Sequence, residues 1–318
     1  MSNKYKPVLI VAGEPNSIFF EIFVKSLKFK KYKSPIILIA SYDLVKKQIQ
    51  KMKFKKKIRI IDNKNLKNLK LNNEYINLIN IIYSSNKNNN KKNYIKNSFK
   101  VAFDIIKSGF TKKMINGPIN KKNFLENKFL GVTEYISQKF NLKKFAMLIY
   151  NKKLSVCPIT THLPIKNVSN KITKKTIIEK ALLVNDFYKI NLGFKPRIAV
   201  TGLNPHCESI NKLNEDEKIV KPAIKSLKKR GLKVNGPYPA DTIFLNQNRR
   251  NFDVIIGMYH DQVLGPIKVL KEYDAINITL GLPFFRISPD HGPNIKMINK
   301  NLSNPLSLIR ALEFLDLK

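Results

Sequence analysis

The chain lacks most of the features that would announce a function class at once. Its two cysteines, Cys157 and Cys207, are too few for a disulfide framework and have no C-x-x-C spacing. No apolar run approaches the roughly 18 residues of a membrane-spanning helix, which excludes such a span. Near the N-terminus only Val8 to Ala12 is apolar, flanked by Lys6 and Glu14. That stretch has neither the length nor the cleavage pattern of a secretory signal, so a cytoplasmic protein is expected. There is no internal repeat, and no G-x-G-x-x-G follows the first predicted strand, which argues against ordinary Rossmann binding of a dinucleotide. Acidic residues are scarce, 22 Asp and Glu against 59 Lys and Arg, for a formal net charge of +37.

Such a charge raises nucleic acid as a partner, because counterion release makes a lysine-rich surface adhere to phosphate. The kind of basicity points elsewhere. Only seven of the basic residues are arginines: Arg59, Arg197, Arg230, Arg249, Arg250, Arg286 and Arg310. Arginine's planar fork is the usual reader of base edges, whereas lysine is a hydrated point charge. The lysines are dispersed and accompany abundant Asn and Ile, residue types that share A/T-rich codons, so a genome-wide compositional bias suffices to explain them. No specific nucleic-acid partner and no membrane partner is expected.

What is present is an α/β pattern. The 318 residues, 43% of them hydrophobic, allow one large domain or two lobes with a substantial core. Val8–Ala12 reads as a strand covered on both faces; Gly13 to Ser17 is turn chemistry, with Asn16 or Ser17 as cap for a helix carrying Ile18, Phe19, Ile22, Phe23 and Leu27. Ile36–Ala40 repeats the strand and Asp43–Lys51 the helix. The polar, low-complexity stretch Ser84–Asn97 reads as a mobile surface insertion before a helix over Ser98–Ser108. Lys113–Asn116 is a strand, Phe145–Tyr150 and Leu154–Thr160 form a hairpin, and Lys174–Tyr188 is a long helix. Strands at Arg197–Thr201, Asp253–Met258 and Ala275–Leu280 alternate with helices at Glu215–Lys229 and Ser303–Leu315. Parallel elements at both ends with a hairpin-bearing middle predict two lobes.

Four histidines, His162, His206, His260 and His291, each follow a predicted strand within a few residues. The carboxyl ends of strands are where open α/β sheets bind ligands. Three neutral imidazoles can hold a divalent cation and leave room for substrate, although these separations match no short metal motif, and a lone histidine is more often structural. The neighbouring words carry further chemistry: Gly202-Leu-Asn-Pro-His206, Gly236-Pro-Tyr-Pro-Ala-Asp241-Thr242, Tyr259-His-Asp-Gln262 followed by Lys268, and Thr279-Leu-Gly-Leu-Pro-Phe-Phe-Arg286 running on to Asp290-His291-Gly292.

Together with Gly13-Glu-Pro15, Gly117-Pro-Ile-Asn-Lys121 and Thr161-His162, these words resemble, in order and over most of the chain, the PdxA family of 4-hydroxythreonine-4-phosphate dehydrogenases of vitamin B6 synthesis. The resemblance implies a two-lobed α/β fold like that of isocitrate and isopropylmalate dehydrogenases, with a mixed, largely parallel sheet and an interlobe cleft. One lobe would comprise residues 1–123 and 264–318, the other residues 124–263. It implies NAD or NADP and one divalent ion (Zn, Mg or Co) held by His162, His206 and His260, with His260 offered across a homodimer interface. Substrate contacts would come from Thr133, Lys268, Asn277 and Arg286. Such enzymes oxidise a phosphorylated hydroxy amino acid to a β-keto acid that loses CO2. The chain departs from the family's words where Val132 replaces a histidine, where Asn16-Ser-Ile-Phe-Phe20 replaces small residues, at Cys207, and at Pro293-Asn294.

The residues taken singly leave alternatives. Lys268 also fits a surface ion pair, Arg286 a loop salt bridge with Asp290, and Asp241 a turn cap as well as a base or a histidine-orienting group. His291 reads as loop-stabilising, and Cys207 is set aside as a soft ligand because a tight loop would not aim both it and His206 at one ion. Rival functions are a paralogue oxidising another phosphorylated hydroxy acid, a basic nucleic-acid-binding protein, and a non-redox metal hydrolase.

Overall fold

The computed structural model of the chain describes residues 5–84, 90–120, 124, 129, 131–208 and 214–318. Lys121 of the Gly117–Lys121 word and residues 85–89 of the low-complexity stretch lie outside them. In chain order the strands are β1 (Val8–Val11), β2 (Ile36–Ala40), β3 (Ile58–Ile60), β4 (Ile76–Asn80), β5 (Lys113–Asn116) and β6 (Ala146–Tyr150). They continue with β7 (Ser155–Pro158), β8 (Ile198–Thr201), β9 (Val234–Tyr238), β10 (Val254–Gly257), β11 (Ile276–Leu280) and β12 (Phe285–Pro289). The chain divides into two compact units, one of Met1–Val132 with Pro283–Lys318 and one of Thr133–Leu282.

In the first unit the strand order is β3-β4-β2-β1-β5-β12, every pair parallel. The apolar runs of β1 and β2 are wholly buried, as the helix-covered centre of a parallel sheet requires. Helix Phe19–Phe29 packs Phe19, Ile22 and Phe23 inward, and Ser17 Oγ accepts from Phe19 N at 3.3 Å at its start. The low-complexity stretch is not wholly an insertion: its second half is helical, within Asn90–Lys107. Tyr94 and Ile95 are each only 1% exposed there, and the Tyr94 hydroxyl accepts from Ser41 N at 3.2 Å. Two apolar residues, one turn ahead of Ser98 and Phe99, extend the buried stripe and so the helix. The polar count of the surrounding residues concealed this.

In the second unit the order is β11-β6-β7-β10-β8-β9. The expected hairpin makes β6 antiparallel to β7, and β6 is antiparallel to β11 as well. The β7, β10, β8 and β9 strands are parallel. Met147, Val156, Ala199, Ile255, Val263 and Ile267 share one core, which binds the helix His260–Lys271 to this unit. The lobe boundary at 263/264 that the family resemblance implied falls within this helix. Among the described residues no helix is long and apolar enough to cross a membrane.

Candidate active site

The first unit has a topological switch point between β1 and β5, because the chain leaves β1 toward β2 on one side and returns to β5 on the other. Ligands of open α/β sheets bind beyond the carboxyl ends of strands at such points. Here the two loops are drawn together by backbone: Gly117 N donates to Val11 O and Glu14 N to Pro118 O, both at 2.8 Å. A Cβ on Gly117 would lie 2.1 Å from Ala12 O, and one on Gly13, whose φ is +81°, 2.4 Å from Pro118 O. Only glycine permits that approach. The Glu14 carboxyl is buried beside them, with Lys91 Nζ at 4.0 Å and Oε2 without a hydrogen-bond partner. Burial, only partly offset by Lys91, raises its pKa.

Arg286 stands on β12 next to β5 and is 3% exposed. Its Nε donates to Asn116 Oδ1 at 2.7 Å, while Asn116 Nδ2 donates to Gly117 O at 2.9 Å. Asn116 therefore fixes the arginine to the switch-point loop. His291 Nδ1 lies 3.0 Å from Gly292 O, in keeping with a loop-stabilising residue.

The second unit holds the other predicted residues. The His162 and His260 rings are neighbours, with centroids 5.8 Å apart and planes at 40°. His162 follows β7, and His260 opens the helix after β10, its Nδ1 2.6 Å from Asp261 Oδ1. His206 follows β8 on an exposed turn where it and Cys207 adopt φ of 55° and 60°. Two successive left-handed non-glycine residues cost about 1–3 kcal/mol each, and such strain gathers at functional sites. Among the described residues of one chain, no three His, Cys, Asp or Glu side chains gather as a metal group. The single chain thus brings together two of the three predicted imidazoles.

The remaining candidates are dispersed over this unit. Thr133 is buried at the start of helix Val132–Lys139, and the next residue, Glu134, accepts from Thr161 Oγ1 at 3.2 Å, tying this helix to the loop of His162. Lys268 is half-buried on the helix that begins at His260. Asn277 lies on β11, its Oδ1 buried without a hydrogen-bond partner. Asp241 is exposed after β9. Cys207 is buried, and burial pushes its thiol pKa up, which disfavours the thiolate a soft ligand would need.

A family model described as pyridoxal phosphate biosynthetic protein PdxA matches residues 31–315. The chain belongs to the PdxA family. The 4-hydroxythreonine-4-phosphate dehydrogenase of Sulfurihydrogenibium sp. is 38% identical over 96% of this chain and 95% of its own length. A crystal structure of the enzyme of that name from Klebsiella pneumoniae superposes with a TM-score of 0.80 at 27% identity, covering 98% of both chains. Membership of the PdxA family places the chain among oxidoreductases. A β-decarboxylating dehydrogenase from Thermococcus kodakarensis shares the fold alone, with a TM-score of 0.54 at 11% identity over 96% of this chain and 81% of its own. The expected α/β architecture with largely parallel strand pairing is therefore observed.

Four residues that sequence reading left without a role shape these regions, Glu14 and Asn116 in the first unit and Asp216 and Gln262 in the second. Asp216 is fully buried and accepts from Leu203 N at 2.7 Å, Asn204 N at 3.0 Å and Asn204 Nδ2 at 3.0 Å, holding the turn that carries His206. No spacing rule marks an acid ten residues past the histidine it steadies.

Proposed function

We propose that the chain oxidises 4-phosphohydroxy-L-threonine with NAD or NADP to 2-amino-3-oxo-4-phosphooxybutanoate, which decarboxylates to 3-amino-2-oxopropyl phosphate on the way to pyridoxal 5'-phosphate. The observation that carries this reading is the place of His162, His206 and His260 beyond the ends of β7, β8 and β10, in a chain of the PdxA family. Neutral imidazoles suit a divalent ion such as zinc or cobalt. We read the site as completed in a homodimer, with His162 and His206 of one subunit joined by the partner subunit's His260. When bound, the ion supplies Lewis-acid polarisation at the substrate oxygen.

The chain's own residues do the rest of the work. NAD or NADP, when bound, would take up the hydride of the carbinol carbon, and Asp241 is the candidate among the family-like words for the base that would receive the hydroxyl proton. Asp241 alternatively orients one of the histidines. Arg286, its guanidinium anchored through Nε, offers a planar fork to carboxylate or phosphate, and Lys268 adds a point charge. Thr133, at the start of an eight-residue helix, offers its hydroxyl beside the helix's positive end. The unpaired acceptor of Asn277 suits a donor such as the substrate ammonium or hydroxyl.

Purified protein given 4-phosphohydroxy-L-threonine, NAD and a divalent metal should produce a rise in absorbance at about 340 nm. Absence of that rise above a metal-free control, with NADP tried as well, removes the reading. A faster rise with another phosphorylated hydroxy acid would favour a paralogue, for which Val132 in place of a histidine is the specific support.

A further inference from the structure

We infer that Gln262 is a positioning residue that holds in place the loops bearing His206 and His260, each of which, on the metal reading above that this inference rests on, serves one of the two sites of the homodimer. Gln262 sits in the first turn of the helix His260–Lys271 and is 8% exposed. Its Oε1 accepts from Met258 N at 2.6 Å, at the end of β10, and from Thr201 Oγ1 at 2.8 Å, at the end of β8. Its Nε2 donates to Gly202 O at 2.8 Å. One amide thus grips both strand ends from which the two histidine loops depart.

The bonds on either side of it extend the grip. Thr160 donates to Met258 O through N at 3.1 Å and through Oγ1 at 2.9 Å, which ties in the loop of His162. Beyond Gly202, Asp216 takes the N–H groups of Leu203 and Asn204. Gly257 and Gly202 leave room for these contacts: a Cβ on Gly257 would lie 2.3 Å from Val263 Cγ1 and 3.1 Å from Gln262 Oε1, and one on Gly202 would lie 2.8 Å from Cys207 Sγ.

A glutamine early in a helix can act merely as a local cap, reaching back to a backbone N–H. The bond to Met258 N has that form. The bonds to Thr201 and Gly202 do not, since they leave the helix and cross to β8. Positioning requires those two; capping requires only the first. Glutamine is the side chain that supplies an acceptor for two donors and a donor for one carbonyl at the same point. A fixed seat for each imidazole-bearing loop matters for metal affinity, because groups that orient ligands contribute to it almost as the ligands do.

The test is cobalt(II) binding to the full chain, followed by titration calorimetry and by the visible absorption of the bound ion, with thermal unfolding in parallel. Gln262→Met, which removes all three bonds, should raise the Co(II) dissociation constant by about tenfold to a hundredfold. Thr201→Val, which removes one of the two cross-loop bonds and leaves the cap and the bond to Gly202 O, should raise it by about fivefold with little change in melting temperature. If Gln262→Met fails to fold, Thr201→Val decides alone. Wild-type affinity in Thr201→Val overturns the inference and leaves Gln262 as a cap, whatever Gln262→Met does. No Co(II) binding by the wild-type chain overturns the metal reading itself and this inference with it, an outcome distinct from equal binding by wild type and variant.

Discussion

The switch point of the first unit and the histidine corner of the second solve the same problem by different means. Both hold loops at the carboxyl ends of parallel strands. At the switch point the loops are fixed by backbone touching backbone, through Gly117 N to Val11 O and Glu14 N to Pro118 O. At the histidine corner the loops after β7, β8 and β10 are instead laced by side chains, Gln262, Thr160 and Asp216. Backbone closure tolerates no added atom, whereas side-chain lacing can be loosened one bond at a time. The first should therefore fail abruptly on substitution and the second by degrees.

Gly117→Ala is the strongest way to break that contrast. The new methyl would meet Ala12 O at 2.1 Å and Phe19 Cδ2 at 2.6 Å. Neither neighbour can move without disturbing the buried centre of the sheet, so a loss of about 3 kcal/mol is expected in urea unfolding. A loss under about 1 kcal/mol would mean the switch point is looser than these contacts say. Asp216→Ala comes next. It strips the carboxylate from two backbone N–H groups and one side-chain amide at a site with 0% exposure. Hydrogen bonds to a buried charged acceptor are worth about 1.5–3 kcal/mol, so a loss of about 2 kcal/mol is expected. Co(II) affinity should fall with it, since the turn of His206 is released. Unchanged affinity in a folded Asp216→Ala protein would separate the carboxylate from the histidine's placement.

The same contrast governs what the sequence could disclose. Strands such as β1, β2 and β5 were legible because a short, β-branched apolar run is a local signal. The switch-point loops were legible as glycine-bearing words. The helix containing Tyr94 was partly missed because its burial depends on a hydroxyl reaching Ser41, a tertiary contact that leaves no local trace. The helix from His260 was missed because Gly265 and Pro266 look like breakers and are tolerated only through packing against a shared core. In the site, histidines stand out by rarity and by their place after strands. Glutamine, asparagine and aspartate at Gln262, Asn116 and Asp216 are common residue types whose roles lie wholly in what they touch.

The smallest effect sharpens the comparison from the first unit's side. Glu14 is a charged group set into a region otherwise fixed by backbone, 3% exposed, with one oxygen unpaired. Burial raises its pKa above the ordinary value of 4.5 against the opposing pull of Lys91. A carboxyl whose folded-state pKa is raised binds more protons folded than unfolded. Its stabilising contribution is therefore full below about pH 4.5 and is lost as pH rises through the folded value. Glu14→Gln removes this dependence while keeping shape and the acceptor near Asn120. The variant's melting temperature relative to wild type should rise as the pH of the scan is taken from about 4.5 upward. A difference that stays flat with pH would show the Glu14 carboxylate to be satisfied in the folded chain, and the switch point to be as polar in its construction as the histidine corner. A difference that falls with pH would mean that Lys91 dominates and that the pair is a stabilising ion pair.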